Sequence, residues 1–124
     1  AMVVHGHDGL DEISVCAPTR ITELVDGAIR TFDIRPEDFF GQAADAADLT
    51  GGTPEDNAAI TREILAGRPG PRRNVVLLNT AAALVTAGRA DSLPAGLALA
   101  EKAIDSGAAA DKLAALVEYT RENG

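Results

Sequence analysis

Aromatic side chains are scarce in this 124-residue chain, which has no tryptophan, one tyrosine and three phenylalanines. A core without large rings has to be assembled from Ala, Val, Leu and Ile, which demands close helix packing and tolerates few voids. Cysteine is scarcer still. The single thiol, Cys16, excludes an internal disulfide framework and fits a reducing compartment. No apolar run is long enough to span a bilayer, and no signal-peptide pattern is legible at the start, so a cytoplasmic protein is the expectation. Basic residues are also short: 11 Lys and Arg stand against 19 Asp and Glu, a net charge of −8. That balance argues against a general nucleic-acid binder and against docking on acidic membranes, both of which need clustered positive charge. An anionic small molecule is not excluded, because a metal and local geometry can outweigh net charge.

What the chain does have is length for one domain with one modest core, and a hydrophobic fraction of 46% to fill it. Met2-Val3-Val4-His5 reads as a strand from the outset. A short apolar run of this kind suits a parallel sheet buried on both faces, and its place so near the start suggests a piece of something longer. Glu12–Val15 reads as a brief second strand. Two β-prone runs, 19–25 and 28–34, flank Asp26-Gly27, a hairpin signal because a type I′ turn needs positive φ at both central residues. Pro36-Glu37-Asp38-Phe39 suggests a short helical turn with proline in its first position.

Residues 42–52 are poor in bulky side chains and read as a surface connection. A helix is expected from Thr53, with Thr53 as N-cap, Pro54 at the first position, an apolar stripe of Ile60, Ile64 and Leu65, and Gly67 as its stop. Asn74 to Ala87 is apolar nearly all round, which predicts a buried helix whose alanines admit close neighbours. Ser92 caps the next helix, packed through Leu97, Leu99, Ala100, Ala103 and Ile104 and ended by Ser106-Gly107. A last helix runs from about Ala109 to Arg121 through Leu113, Leu116, Val117 and Tyr119. The fold class is therefore α/β: a partial sheet with a β-hairpin packed against about four helices.

Asp11 and Glu12, behind Gly9 at the exit of the first strand, are the candidate metal ligands. Magnesium takes oxygen donors, keeps several waters, and is held by one or two carboxylates plus a substrate's phosphates. Adjacent residues on a regular strand face opposite ways, so the pair can share an ion only where the backbone has left the strand. The alternative is a solvated acidic turn. His5 and His7, with Cys16 or Asp8, offer a thin zinc set, and hydrogen-bonded turn histidines are the preferred reading. Cys16 reads as a small buried hydrophobe rather than a nucleophile. Arg68, Arg72 and Arg73 read as solvated charges, although a phosphate is a possible partner. Gly51-Gly52 lacks the rest of a phosphate loop. Asn79, polar within the most apolar helix, is expected to satisfy a buried backbone group, or alternatively to orient an active-site loop.

Val3-Val4-His5-Gly6 followed by Asp8-Gly9-Leu10-Asp11-Glu12-Ile13-Ser14 resembles a segment of the anthranilate phosphoribosyltransferases. The likeness continues through Thr22-Glu23-Leu24, Pro36-Glu37-Asp38-Phe39, residues 51–58 from Gly51-Gly52-Thr53-Pro54 onward, and residues 74–84 to the final helices. The resemblance implies transfer of a phosphoribosyl group from phosphoribosyl pyrophosphate to the amino group of anthranilate, with Mg²⁺ required. It implies a nucleoside phosphorylase/phosphoribosyltransferase-type fold, a small helical domain hinged to a larger α/β domain, and a homodimer. The acidic pair of the family's Gly-Leu-Asp-Glu stretch binds magnesium, which gives that role to Asp11 and Glu12 by resemblance.

The likeness covers only a C-terminal portion of the family's α/β catalytic domain, expected to span residues 1–124. The glycine-rich phosphoribosyl pyrophosphate loop, the anthranilate-binding residues and the N-terminal helical domain have no counterpart here. No catalytic or anthranilate-contacting residue is carried over, and the chain alone is expected to be an incomplete catalyst. Phe39-Phe40-Gly41 also stands where the family usually has one Phe followed directly by Gly. A phosphorylase-like or phosphoribosyltransferase-like paralogue, and a non-catalytic binding or scaffold module, are the rival readings.

Overall fold

The structure is a computed structural model that describes all residues, 1–124. Three strands, β1 (Met2–Gly6), β2 (Thr19–Val25) and β3 (Ala28–Ile34), form an antiparallel sheet in the order β1-β2-β3. Helices α1 (Glu37–Phe40), α2 (Pro54–Leu65), α3 (Pro71–Thr86), α4 (Leu93–Asp105) and α5 (Ala108–Asn123) follow, with a 3₁₀ turn at Ala46–Leu49 between α1 and α2. The α/β class and the order of sheet before helices are as the sequence implied.

The β2–β3 hairpin turns on Asp26 and Gly27, both at positive φ (49° and 79°), as a type I′ turn requires. Its register aligns Val4, Ile21 and Phe32 across the three strands, so one face of the sheet meets the core. The expectation of a parallel first strand buried on both faces is overturned. β1 pairs antiparallel with β2, and its exposure alternates, with Met2 and Val4 half-buried and Val3 69% exposed. An antiparallel sheet with one face open needs only that alternation.

The second expected strand, Glu12–Val15, is not a strand. Ile13, Ser14 and Val15 are buried in an irregular segment that joins β1 to β2. The backbone groups of that run pair with the Asn79 and Thr19 side chains and with Ala44 N rather than with a neighbouring strand.

The α2 start is a full capping box: Thr53 Oγ1 accepts from Asp56 N, and the Asp56 carboxylate accepts from Thr53 N. Gly51 and Gly52 belong to this cap. A Cβ on Gly51 would lie 2.5 Å from the Asn57 side chain, and one on Gly52 would lie 2.6 Å from that of Asp56. The preceding connection is more ordered than expected, since Ala44 and Leu49 both pack on the core. The extra phenylalanine is absorbed as well: Phe39 and Phe40 both pack there, and Gly41 closes the turn at φ 76°.

α3 is the central element. Leu78 and Ala82 join Ile13, Val15 and Ile21 on the sheet side, whereas Leu77 packs with Ala100 and Ile104 of α4. The predicted all-round burial does not hold, because Val76, Thr80 and Ala83 are exposed. Close approach does hold: a Cβ on Gly96 of α4 would sit 2.8 Å from the carbonyl oxygen of Ala81. The helix also starts three residues earlier than expected, with Pro71 in its first turn. In α4, Leu99 and Ala103 turn out exposed while Gly96 is buried, and α5 buries no residue at all.

Of the three arginines at the α2–α3 turn, Arg68 stays an exposed charge as expected, whereas Arg72 and Arg73 correct the reading of solvated charge. Arg72 donates to the carbonyls of Asp48 (2.9 Å) and Thr50 (2.7 Å), fastening the connection to α3. Arg73, its side chain only 14% exposed, donates to Gly67 O and to the Asp105 carboxylate and so ties the turn to α4. Arg68 pairs with Glu63 at 2.6 Å.

Candidate metal-binding loop

The loop from Gly6 to Thr19 leaves the sheet at the end of β1 and returns at the start of β2. Gly6 is buried under it, its N–H donating to Leu10 O at 2.9 Å, while Gly9 takes φ 94° and turns the chain. Its three carboxylates behave in two different ways. Asp8 is committed to the loop itself: Oδ1 accepts from Leu10 N (3.2 Å) and Oδ2 from Ser14 Oγ (2.6 Å). The Ser14 hydroxyl bond, first among several causes, holds the Asp8 pKa below the ordinary value. Ser14 Oγ in turn accepts from Cys16 N (2.9 Å) and Ala17 N (3.2 Å), and Ser14 N donates to Thr19 Oγ1 (2.9 Å).

Asp11 and Glu12 are the opposite case. Both are exposed, and neither takes part in any side-chain hydrogen bond or ion pair within the chain. Partial desolvation of the Glu12 carboxyl, and after it the Asp11 charge beside it, raise the Glu12 pKa although the residue as a whole is exposed. The backbone that carries them is nevertheless fixed. Asn79 of α3 accepts from Ile13 N at 2.9 Å and donates to Ile13 O at 2.9 Å. Adjacent carboxylates with uncompensated charge, on a backbone that has left the strand, suit a hard divalent cation. Such an ion draws its other ligands from water and phosphate oxygens, which is the habit of Mg²⁺.

No three of His, Cys, Asp and Glu come together as an all-protein metal cage. His5 lies on β1, but His7 lies beyond it, with Nε2 3.7 Å from Asp33 Oδ1. Cys16 packs against the sheet-side core, and burial, followed by the charges of Asp8, Asp45 and Asp48, pushes its thiol pKa up. That is the direction away from a reactive thiolate. A groove of about 680 Å³ between α2 and α5 contains neither candidate carboxylate. It opens along α5, whose residues are exposed or half-buried, and it lacks the loop's convergent backbone anchoring. Sequence reasoning saw the carboxylate pair. It missed Ser14 and Thr19 as the hubs that shape the loop; the available signal was two hydroxyl residues bracketing an apolar run without room for a strand.

Residues 1–110 match the model of a glycosyl transferase family, a/b domain. The chain belongs to this family. An anthranilate phosphoribosyltransferase of Desulfosudis oleivorans is 61% identical over 125 residues, covering 100% of this chain and 37% of that protein. One from Desulfatibacillum aliphaticivorans is 58% identical, with 100% and 37% covered. The chain thus spans a little over a third of the length of the curated relatives it matches. Among solved structures, anthranilate phosphoribosyltransferase from Thermus thermophilus superposes with a TM-score of 0.85 at 34% identity, covering 98% of this chain and 36% of that one. The Saccharomyces cerevisiae enzyme, solved in complex with PRPP and Mg, gives a TM-score of 0.71 at 29% identity, over 86% of this chain and 31% of that one. No helix is long and apolar enough to cross a membrane.

Proposed function

We propose that this chain is the C-terminal portion of the α/β domain of a cytoplasmic anthranilate phosphoribosyltransferase of tryptophan biosynthesis. The intact enzyme transfers the 5-phosphoribosyl group of phosphoribosyl pyrophosphate to the amino group of anthranilate and releases pyrophosphate. The observation that carries the reading is the free carboxylate pair Asp11 and Glu12 on an anchored loop, within a chain matched end to end by enzymes of that name. Asp11 and Glu12 are the residues that would hold Mg²⁺. When bound, the ion supplies positive charge against the departing pyrophosphate. Asp8, Ser14 and Thr19 keep the loop's shape, and Ile13 roots it in the core. The remaining N-terminal part supplies the phosphoribosyl pyrophosphate loop, the anthranilate contacts and the helical domain through which the enzyme forms a homodimer.

The test follows anthranilate by its fluorescence, with phosphoribosyl pyrophosphate and Mg²⁺ present. The chain is assayed alone and then mixed with the remaining part of the polypeptide. Activity confined to the mixture, and reduced at least about 100-fold by Asp11→Ala or Glu12→Ala, is the expected result, since losing even an outer-shell partner costs about 10–100-fold. Silence in a verified folded complex would sink the assignment in favour of a paralogue or a non-catalytic module.

A further inference from the structure

We propose that Asn79 is a positioning residue for the metal loop, a role that rests on Asp11 and Glu12 being the Mg²⁺ ligands. One carboxamide grips both backbone polar groups of Ile13, with Oδ1 accepting from its N–H and Nδ2 donating to its carbonyl, each at 2.9 Å. A single hydrogen bond leaves a pivot, whereas two to one residue fix direction as well as place. The Ile13 N–H belongs to the peptide plane whose carbonyl is that of Glu12. Holding that plane therefore sets how the Glu12 backbone leaves the core, and Asp11 follows it.

The carboxamide is itself locked. Nδ2 also donates to Val75 O, one helical turn back, at 2.9 Å. Turning the amide over would aim its oxygen at two carbonyls, so only one orientation serves both α3 and the loop. The Ile13 side chain, 0% exposed and packed with Leu78, fixes the same point from the other side. Mg²⁺ demands near-ideal octahedral geometry, so ligands carried on a free-swinging loop would bind it weakly. Asp11 and Glu12 have no hydrogen-bonding partners of their own, which leaves their backbone as the means of ordering them.

The experiment uses the intact enzyme, the chain together with its remaining part. It reads binding of Mn²⁺, an EPR-visible substitute for Mg²⁺, in the presence of pyrophosphate. Asn79→Ala is expected to weaken Mn²⁺ about 10-fold or more, the range seen when a supporting shell is removed. The Mg²⁺ concentration for half-maximal rate rises in step, while kcat at saturating Mg²⁺ stays near that of the parent. Asn79→Ser keeps a hydroxyl able to bond Val75 O one turn back but is too short to hold both polar groups of Ile13, so it weakens Mn²⁺ similarly; it serves also if the alanine variant fails to fold. Leu77→Ala, on the face of α3 turned toward α4, supplies a destabilised control with unaltered Mn²⁺ affinity. Parental affinity in both Asn79 variants, or weakening no greater than in Leu77→Ala, overturns the positioning role. Asp11→Ala is measured alongside: parental affinity there removes the metal assignment itself, whereas loss there with none at Asn79 removes only this inference.

Discussion

Between Thr19 and Ile34 the backbone pairs with itself, and between Gly6 and Thr19 it pairs largely with side chains. The hairpin's ladder is complete from Thr19↔Ile34 to Val25↔Ala28, so its outward side chains only decorate it. Arg20 grips Asp33 at 2.9 Å and Thr22 meets Thr31 at 3.0 Å, but both pairs are exposed. The loop has no such ladder. Its buried stretch Ile13–Val15 hands Ile13 to Asn79, Ser14 N to Thr19 Oγ1, and Val15 O to Ala44 N. A buried loop is viable only when each polar backbone group finds a partner. Where those partners are single side chains, each one carries several bonds, and the loop depends on few residues. The same economy leaves Asp11 and Glu12 without internal duties, as a binding surface requires.

The contrast is broken most forcefully at Ser14. Ser14→Ala removes the donor to Asp8 and strands the half-buried Cys16 and Ala17 amides, an expected loss of about 2–4 kcal/mol from one hydrogen bond to a charged group and two unsatisfied amides. Thr22→Ala in the hairpin removes a cross-strand pair worth about 0.2–1 kcal/mol. Denaturant unfolding of the two variants should separate them clearly. Equal losses would mean that the loop is no more dependent on single side chains than the hairpin.

A finer probe compares two glycines that are needed for different reasons. A Cβ on Gly6 would lie 2.5 Å from Asp8 Oδ1, 3.2 Å from Leu10 Cβ and 3.3 Å from Ser14 Cβ. Asp8 cannot swing aside without releasing Leu10 N and Ser14 Oγ, so Gly6→Ala should cost about 1–3 kcal/mol through overpacking. Gly27 has nothing within 4 Å of its added Cβ but sits at φ +79°, and Gly27→Ala should cost about 1–2 kcal/mol through strain alone. Stability scarcely distinguishes them; location does. Amide chemical shifts should move at Leu10 and Ser14 in Gly6→Ala, and only in the β2–β3 turn in Gly27→Ala. Shifts confined to residues next to Gly6 would show that the loop has more slack than its contacts imply.

The same division explains what could be read from the residues. Asp26-Gly27, Thr53-Pro54 and Ser92 announced their elements because each carries its own local reason: positive φ, a capping oxygen, a fixed proline angle. Asp11 and Glu12 were legible as a pair, though only the resemblance raised them above an ordinary acidic turn. The reading of Glu12–Val15 as a strand fails because the partners of Ile13 and Val15, Asn79 and Ala44, lie far along the chain and no local pattern names them. Arg72 and Arg73 were misread for a related reason. Their acceptors are carbonyls of the 48–50 segment and Gly67 and a carboxylate of α4, none of which leaves a periodic trace. The exposed Leu116, Val117 and Tyr119 of α5 kept the helical spacing of a packed face without meeting one.

The smallest expected difference appears in acid. Asp8 and Asp33 both have pKa values below the ordinary aspartate value, the first chiefly through the Ser14 hydroxyl and the second chiefly through Arg20. A carboxylate whose folded pKa is depressed adds stability above its unfolded value. That contribution disappears as pH falls through the folded one. Near neutral pH neither group therefore changes anything, and the window lies below the ordinary aspartate range. Protonating Asp33 releases an exposed ion pair while the β2–β3 ladder keeps its own bonds, so amides along it should stay in place. Protonating Asp8 frees the Ser14 hydroxyl that also holds Cys16 N and Ala17 N, so amide signals of Leu10, Cys16 and Ala17 should move together with the Asp8 carboxyl. Ser14→Ala should return the Asp8 titration toward the ordinary value and uncouple it from those amides. If Asp8 titrates in the parent chain while Leu10, Cys16 and Ala17 stay fixed, the loop is held by its buried Ile13–Val15 stretch alone, and its dependence on a charged side chain is lost.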